Sequence, residues 1–204
     1  MLSFFSYFSN YIKKNGIKFD GKVTTARLTS KRPKNAVTIA VTESAPVSEI
    51  VKVLLTRSDN HYAEHLFQLL EKVEGVNVME FWKEKGIDVD SLTMKDGSGL
   101  SRGDTLSAKL LTDILAYMAE RKELKFEELL PIAGQDGTVA KFLKETPLSG
   151  NARIKSGSMS GIQSYAGYLE KDGKRYAFAI IVNHWNGDRT DLRNEMEKLL
   201  NGLF

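Results

Sequence analysis

The 204-residue sequence contains no cysteine, which excludes disulfides, thiolate metal ligands and thiol nucleophiles. That absence leaves the compartment open, because secreted proteins can also lack cysteine. No run approaches the roughly 18 apolar residues of a membrane-spanning helix, so no span is expected. Neither sign of charge dominates: 29 Lys and Arg stand against 26 Asp and Glu, a formal charge of +3 without blocks. A nucleic-acid footprint is therefore not expected. Proline occurs only four times, and no Pro/Ser-rich linker, low-complexity tract or internal repeat divides the chain. What remains, 42% apolar and 27% charged residues, is the profile of one globular domain, or of one domain with a small appendage.

Apolar periodicity and breakers predict the elements. Met1 to Ile12 is aromatic-rich, but no basic cluster precedes it, and Ser3, Ser6, Ser9 and Asn10 interrupt any signal-peptide core. It reads as a packed helix with Phe5, Phe8 and Ile12 on one face, stopped by Lys13-Lys14-Asn15-Gly16. Two short strands follow, Lys22 to Leu28 and Ala36 to Thr42. A helix from near Ser44 to Arg57 carries Val47, Ile50, Val51 and Leu54; after the breaker Ser58-Asp59-Asn60, a second runs to Val73 with Ala63, Leu66, Phe67 and Leu70 inward. Val78 to Lys85 is a short helix and Lys95 to Arg102 a Gly-rich loop. Asp104 or Thr105 then caps a long helix with Leu106, Leu110, Ile114 and Met118 on one face. Another short helix covers Lys125 to Leu129. Ala152 to Ser158, Ser164 to Glu170 and Arg175 to Asn183 are strands, the last two joined by an Asp172-Gly173 hairpin turn. A closing helix, Arg189 to Leu200, presents Leu192, Met196 and Leu199. The expected class is α+β, a helix-covered antiparallel sheet.

Several chemical motifs are near misses. Gly97-Ser98-Gly99 lacks the third glycine of a dinucleotide fingerprint, since Arg102 holds that position. Gly99-Leu100-Ser101-Arg102-Gly103 has the Gly-x-Ser-x-Gly spacing of a nucleophile elbow, but a polar stretch separates it from any strand. His61-Tyr62-Ala63-Glu64-His65 has the H-x-x-E-H spacing of inverted zinc peptidases, with His61 and His65 as ligands and Glu64 as base. The alternative is two polar surface histidines, because both lie opposite the apolar stripe. His184, at a strand end, reads as a half-buried polar residue.

A stronger constellation pairs Ser58-Asp59-Asn60, at a helix corner, with Lys155-Ser156-Gly157 on a strand. These are the second and third of three motifs that mark serine β-lactamases and penicillin-binding proteins. Around them run Arg57 to Glu64, Asp96-Gly97-Ser98-Gly99-Leu100-Ser101-Arg102, Leu130-Pro131-Ile132-Ala133-Gly134-Gln135-Asp136-Gly137-Thr138, Lys155 to Gly161, and Tyr165-Ala166-Gly167-Tyr168. The chain resembles the D-alanyl-D-alanine carboxypeptidase/endopeptidase family of low-molecular-mass penicillin-binding proteins with inserted domains. The resemblance implies a transpeptidase-like fold, incomplete at its N-terminal side. Residues 1–43 would be an entry helix and strands returning from an insertion, and residues 44–204 the C-terminal part of the transpeptidase-like domain.

The resemblance also implies roles. Lys155 and the Ser156 hydroxyl would hold the terminal carboxylate of a peptidoglycan stem peptide ending in D-Ala-D-Ala. With Gly157 and Ser158 they would form the binding strand, the Ser158 N–H serving as an oxyanion donor. Ser58 would relay a proton to the leaving amine, and Asn60 would hold the substrate carbonyl. No cofactor or metal is implied; β-lactams would bind the intact enzyme, located in the periplasm or cell envelope. The family's nucleophile motif is Ser-x-x-Lys, and no serine in this sequence has lysine three residues on. The chain is therefore expected to be the rear part of such an enzyme and inactive alone. The strand at Arg175 to Asn183 would be an open edge, and an apolar groove would lie beside the Ser58-to-Asn60 corner. Self-association or a complementary N-terminal half would follow.

Overall fold

Asp172 and Gly173 both adopt left-handed backbone, with φ of 52° and 70°, the geometry a two-residue hairpin needs to match the twist of its strands. They join β2 (Ile162–Lys171) to β3 (Lys174–Asn183), and β1 (Ala152–Met159) pairs with β2 on the other side. Both pairings are antiparallel, placing Lys155 opposite Ala166 and Ala166 opposite Ala179.

A computed structural model describes residues 2–21, 35, 37, 41 and 43–203. The chain divides into two compact units, Met1–Ser44 and Ala45–Phe204. The first unit contains α1 (Leu2–Lys14). Its C-terminus closes as expected: Gly16 has φ 78°, its N–H donates to the Lys13 carbonyl at 3.1 Å, and the Asn15 amide donates to the Tyr11 carbonyl at 2.9 Å. Phe8 is exposed, whereas Ser9 is buried, its hydroxyl donating to the Ser6 carbonyl at 3.0 Å. The strands expected at Lys22 to Leu28 and Ala36 to Thr42 lie outside the described residues, Val37 and Val41 apart.

In the second unit the sheet is covered on both faces. Alternation along the strands sends Ala152, Ile154, Tyr165, Leu169 and Phe178 to one side, where they pack with Phe142, Leu143 and Leu148. Met196 and Leu200 of α7 (Arg189–Leu203) close that layer, and Phe142 stacks on Tyr165 with ring centroids 3.6 Å apart. On the other side Tyr168, Ala166 and Ala177 meet Leu115 of α5 (Ala108–Glu120), together with Leu130 at the end of α6 (Phe126–Leu129). The Tyr168 hydroxyl donates to the Leu115 carbonyl at 2.7 Å, and burial pushes its pKa to about 12. Each fully buried Leu or Ile contributes about 1.5–3 kcal/mol, so two covered faces make β1 a stiff platform.

Helix phases differ from expectation at defined points. α7 buries Met196 and Leu200 while Leu199 is exposed, because the i, i+4 row from Leu192 through Met196 continues to Leu200. α5 starts at Ala108 and is capped by Ser107, whose hydroxyl accepts from the Leu110 N–H at 3.1 Å. Asp104 and Thr105 do not cap it: Thr105 instead exchanges two backbone hydrogen bonds with Thr93, at 2.9 and 3.0 Å, leaving Leu106 exposed. A smaller cluster of Ile87, Val89, Leu92 and Leu110 includes Trp82 of α4 (Val78–Glu84) at its margin.

Two further helices frame the corner. α2 (Val47–Arg57) buries no residue, and Val47 on its apolar stripe is 64% exposed. α3 (Asn60–Gln68) buries Phe67 as expected, then passes into a single π turn, Leu69–Val73. The wider turn rotates Leu70 off the inward face, and Leu70 is exposed.

Candidate active site

The α2–α3 corner is built by three consecutive residues. Ser58 takes left-handed backbone, φ 55° and ψ 52°, and ends α2 with its N–H bonded to the Leu54 carbonyl. Asp59 caps α3: its carboxylate accepts from the Tyr62 N–H at 3.0 Å. Asn60 is the first residue of α3 and is exposed. A non-glycine residue in the left-handed region is strained, and here the strain turns the Ser58 side chain out of the helix.

That side chain meets β1. The Lys155 ammonium donates to Ser58 Oγ at 2.8 Å, linking residues 97 positions apart, and also to the Ser156 carbonyl. Burial pushes the Lys155 pKa below its ordinary value, since desolvation penalises the charged form. The next residue faces oppositely, and Ser156 Oγ lies 2.7 Å from Thr138 Oγ1. Gly157 receives the Ser164 hydroxyl on its carbonyl at 3.4 Å. Ser158 is exposed opposite Gln163.

β1 is also an available edge. The Ile154 N–H donates to the Pro131 carbonyl, and the Ala152 carbonyl accepts from the Ala133 N–H, each at 2.9 Å. Even-numbered residues therefore direct their backbone groups away from β2. Residues 130–133 cover this edge only as far as Ile154. By the same alternation Ser156 and Ser158 direct theirs outward beyond it, and among the described residues no strand pairs there.

The Gly-rich loop beside the corner is organised by Asp96. Its carboxylate accepts from the Ser98 hydroxyl at 2.9 Å and from the N–H groups of Gly99, Leu100 and Ser101 at 2.6, 3.3 and 2.8 Å. Burial alone would raise the Asp96 pKa, but the Ser98 hydroxyl and the three backbone donors outweigh it and hold the carboxyl below its ordinary value. Glu64 ties this loop to α3 by accepting from the Gly97 N–H at 2.8 Å and from the Gln68 amide at 2.6 Å. Gly97 has no room for a side chain, because a Cβ there would overlap Phe67 and lie 2.8 Å from the Ala63 carbonyl oxygen.

These contacts bear on the other sequence candidates. Glu64 engages the loop, and His65 Nδ1 lies 2.7 Å from the His61 carbonyl. Among the described residues no three of His, Cys, Asp and Glu are grouped to hold a metal ion. Ser101 is a loop residue whose N–H is bound to Asp96 and whose hydroxyl accepts from the Gly103 N–H at 3.1 Å, so the elbow spacing is incidental. His184 is exposed, with φ 55°, just past β3. The fold thus gathers Ser58, Lys155 and Ser156, places Gly157 and Ser158 further along the same strand, and leaves the Asn60 amide without a hydrogen-bond partner among the described residues. Two participants had no role assigned from sequence, Thr138 and Asp96, and Glu64 was read there only as the base of a zinc motif. Asp96 alone carried a local signal, an acidic residue two before serine in a Gly-rich turn.

An antiparallel sheet covered by helices on both faces, with a Ser-x-Asn corner against a Lys-Ser-Gly edge strand, is a partial penicillin-binding-protein or serine β-lactamase fold. Residues 2–203 match the D-Ala-D-Ala carboxypeptidase 3 (S13) family, and the chain belongs to it. It is 29% identical to the D-alanyl-D-alanine carboxypeptidase DacB of Haemophilus influenzae over 189 residues, covering 86% of this chain and 39% of that protein. Identity to a D-alanyl-D-alanine carboxypeptidase of Actinomadura sp. strain R39 is also 29%, over 88% of this chain and 36% of the relative. The chain therefore spans less than half the length of these curated relatives. The crystal structure of penicillin binding protein 4 (dacB) from H. influenzae with a β-lactam superposes with a TM-score of 0.87 at 28% identity, covering 98% of this chain and 50% of that one.

Proposed function

We propose that this chain is the C-terminal portion of a serine-type D-Ala-D-Ala carboxypeptidase of the cell envelope, acting on peptidoglycan stem peptides by acyl-enzyme chemistry. The observation that carries the reading is the 2.8 Å contact between Lys155 and Ser58. The stem peptide would add along β1 from Ser156 to Ser158 as an extra strand. Its terminal carboxylate would lie at the Lys155 ammonium and the Ser156 hydroxyl, and the Ser158 N–H would donate to the scissile carbonyl oxygen. The Asn60 amide would hold the peptide's preceding carbonyl. The attacking serine and its base would come from a Ser-x-x-Lys segment outside these 204 residues. As the tetrahedral adduct collapses, the C–N bond breaks and the Ser58 hydroxyl hands a proton to the departing D-Ala amine, recovering one from Lys155. Lys155 thereby binds the carboxylate and feeds the relay.

On this reading the chain binds stem peptide but forms no covalent penicillin adduct. The test is an NMR titration of the full chain with an N-acylated peptide ending in D-Ala-D-Ala, alongside intact-mass analysis after benzylpenicillin treatment. Saturable shifts on β1, abolished by Lys155→Ala, with no mass increase, are expected. A mass increase of one β-lactam would show that a serine of this chain, Ser101 included, is a nucleophile, and would sink the assignment. The second reading is a binding module without catalysis, favoured by the contacts of Lys155 with Ser58 and of Ser156 with Thr138, which need no residue beyond this chain. Restored turnover when a Ser-x-x-Lys-bearing half is added would decide for the enzyme.

A further inference from the structure

Thr138 lies in the Gly134-to-Thr138 stretch that neither reading uses, yet its Oγ1 is 2.7 Å from Ser156 Oγ, the one hydrogen bond of the Ser156 side chain among the described residues. The element beneath it is rigid. The short 3-10 turn Gly137–Val139 follows Asp136, whose carboxylate accepts from the Ile132 N–H at 3.2 Å and whose own N–H donates to the Ile132 carbonyl at 2.9 Å. Val139 is fully buried, and the Gly134 N–H donates to its carbonyl at 3.0 Å. Gly137 abuts the backbone of Thr56 near the end of α2: a Cβ on it would come within 2.9 Å of the Thr56 carbonyl carbon. Thr138 is exposed, but it is exposed on a fixed turn, aimed at β1.

We propose that Thr138 is a positioning residue that orients the Ser156 hydroxyl and so selects a carboxylate as ligand. A hydroxyl has one proton and two lone pairs, whereas an ionised carboxylate can only accept. For Ser156 to donate to a carboxylate, its contact with Thr138 must run the other way, with Thr138 donating. The resulting chain, Thr138 to Ser156 to carboxylate, is polarised in one direction, and each bond strengthens the next. A C-terminal carboxamide, which also presents donors, does not require that direction. The inference rests on reading Lys155 and Ser156 as a carboxylate site.

The test uses NMR titrations of the full chain with an N-acylated peptide ending in D-Ala-D-Ala and with the same peptide as its C-terminal amide. Thr138→Val is expected to weaken the carboxylate peptide roughly three- to tenfold, the worth of one ordinary hydrogen bond, and to leave the amide unchanged. Thr138→Ser should bind like the wild type. In a Ser156→Ala background, Thr138→Val should cause no further loss, because its effect passes through Ser156. An undiminished affinity in Thr138→Val, equal losses for both peptides, or additive losses in the double variant would overturn the proposal while leaving the carboxylate site standing. A wild-type chain that binds neither peptide would remove the site itself and this inference with it. Thr138→Ala, read in the same way, serves if the valine variant does not fold.

Discussion

Gly137 sits against the backbone of Thr56, with room for no Cβ between them, and this joint sets the spacing between two parts of the site. Thr56 lies two residues before Ser58, and Gly137 one before Thr138, so the contact fixes the helix corner relative to the hydroxyl that reaches Ser156. Gly137→Ala adds a methyl group where the backbone has φ 49° and where Thr56 must be displaced. It is expected to cost roughly 2–4 kcal/mol, combining left-handed strain with overpacking. Stem-peptide binding should fall more than in a variant of equal instability elsewhere, such as Leu148→Ala. Denaturant unfolding and peptide titration of both variants check this, and equal binding losses at equal stability would deny the joint its positioning role.

Lys155 gives a pH dependence whose sign runs against habit. Burial lowers its folded-state pKa below the ordinary 10.5. Between those two values the unfolded chain binds the extra proton, so stability rises with pH across that window, and below it the penalty of the buried charge is fully present. Lys155→Met should therefore leave the melting temperature at pH 7 unchanged or higher while abolishing carboxylate binding. Wild-type affinity should fall as the pH rises through the lowered Lys155 pKa, before 10.5 is reached. Calorimetry and binding titrations from neutral to alkaline pH measure both. A destabilised methionine variant would mean that the contacts of Lys155 with Ser58 and Ser156 outweigh its desolvation.

The parts of this arrangement differ in how far the sequence discloses them. The Asp172-Gly173 hairpin and the Ser58-Asp59-Asn60 corner are legible because turn and cap chemistry is local. Pairing Ser58 with Lys155 across 97 positions came only through family resemblance, since no periodicity connects them. The Leu199 and Leu106 expectations missed because a helical stripe tolerates a phase error of one residue when its cap is misplaced; Thr105 belonged to a bridge with Thr93 that no local pattern announces. The role of Thr138 was hidden for a further reason. An exposed hydroxyl on a loop has no hydrophobic signature, and its partner is set by tertiary structure.

Asp96 should make the loop acid-labile. Its carboxyl is held below 3.8 by the Ser98 hydroxyl and the Gly99, Ser101 and Leu100 N–H groups, against an opposing effect of burial. A depressed carboxyl contributes stability that is complete above 3.8 and is lost as pH falls through the lower folded-state value. Amide protection at Gly99 and Ser101 should therefore persist at pH 5 and decline in that more acid range. Asp96→Asn should show reduced protection at both pH values, with the β1–β2 amides unaffected. Hydrogen exchange by NMR resolves these amides, and protection that survives in Asp96→Asn would show that the glycine backbone alone holds the loop.

The face that α2 turns outward predicts association. Val47 is 64% exposed, α2 buries no residue, and β3 is an edge strand among the described residues. Strand edges and exposed apolar stripes both recruit further chain. The isolated chain is expected to exceed monomer mass as concentration rises, in light scattering coupled to size exclusion. Val47→Lys should weaken that association while changing monomer stability by only about 0.5 kcal/mol, because the site is exposed. If a complementary half with the missing nucleophile motif is the natural occupant, adding it should dissociate the self-assembled species and protect β3 amides. A monomer at every concentration, with or without that half, would mean that other residues of this chain already cover both surfaces.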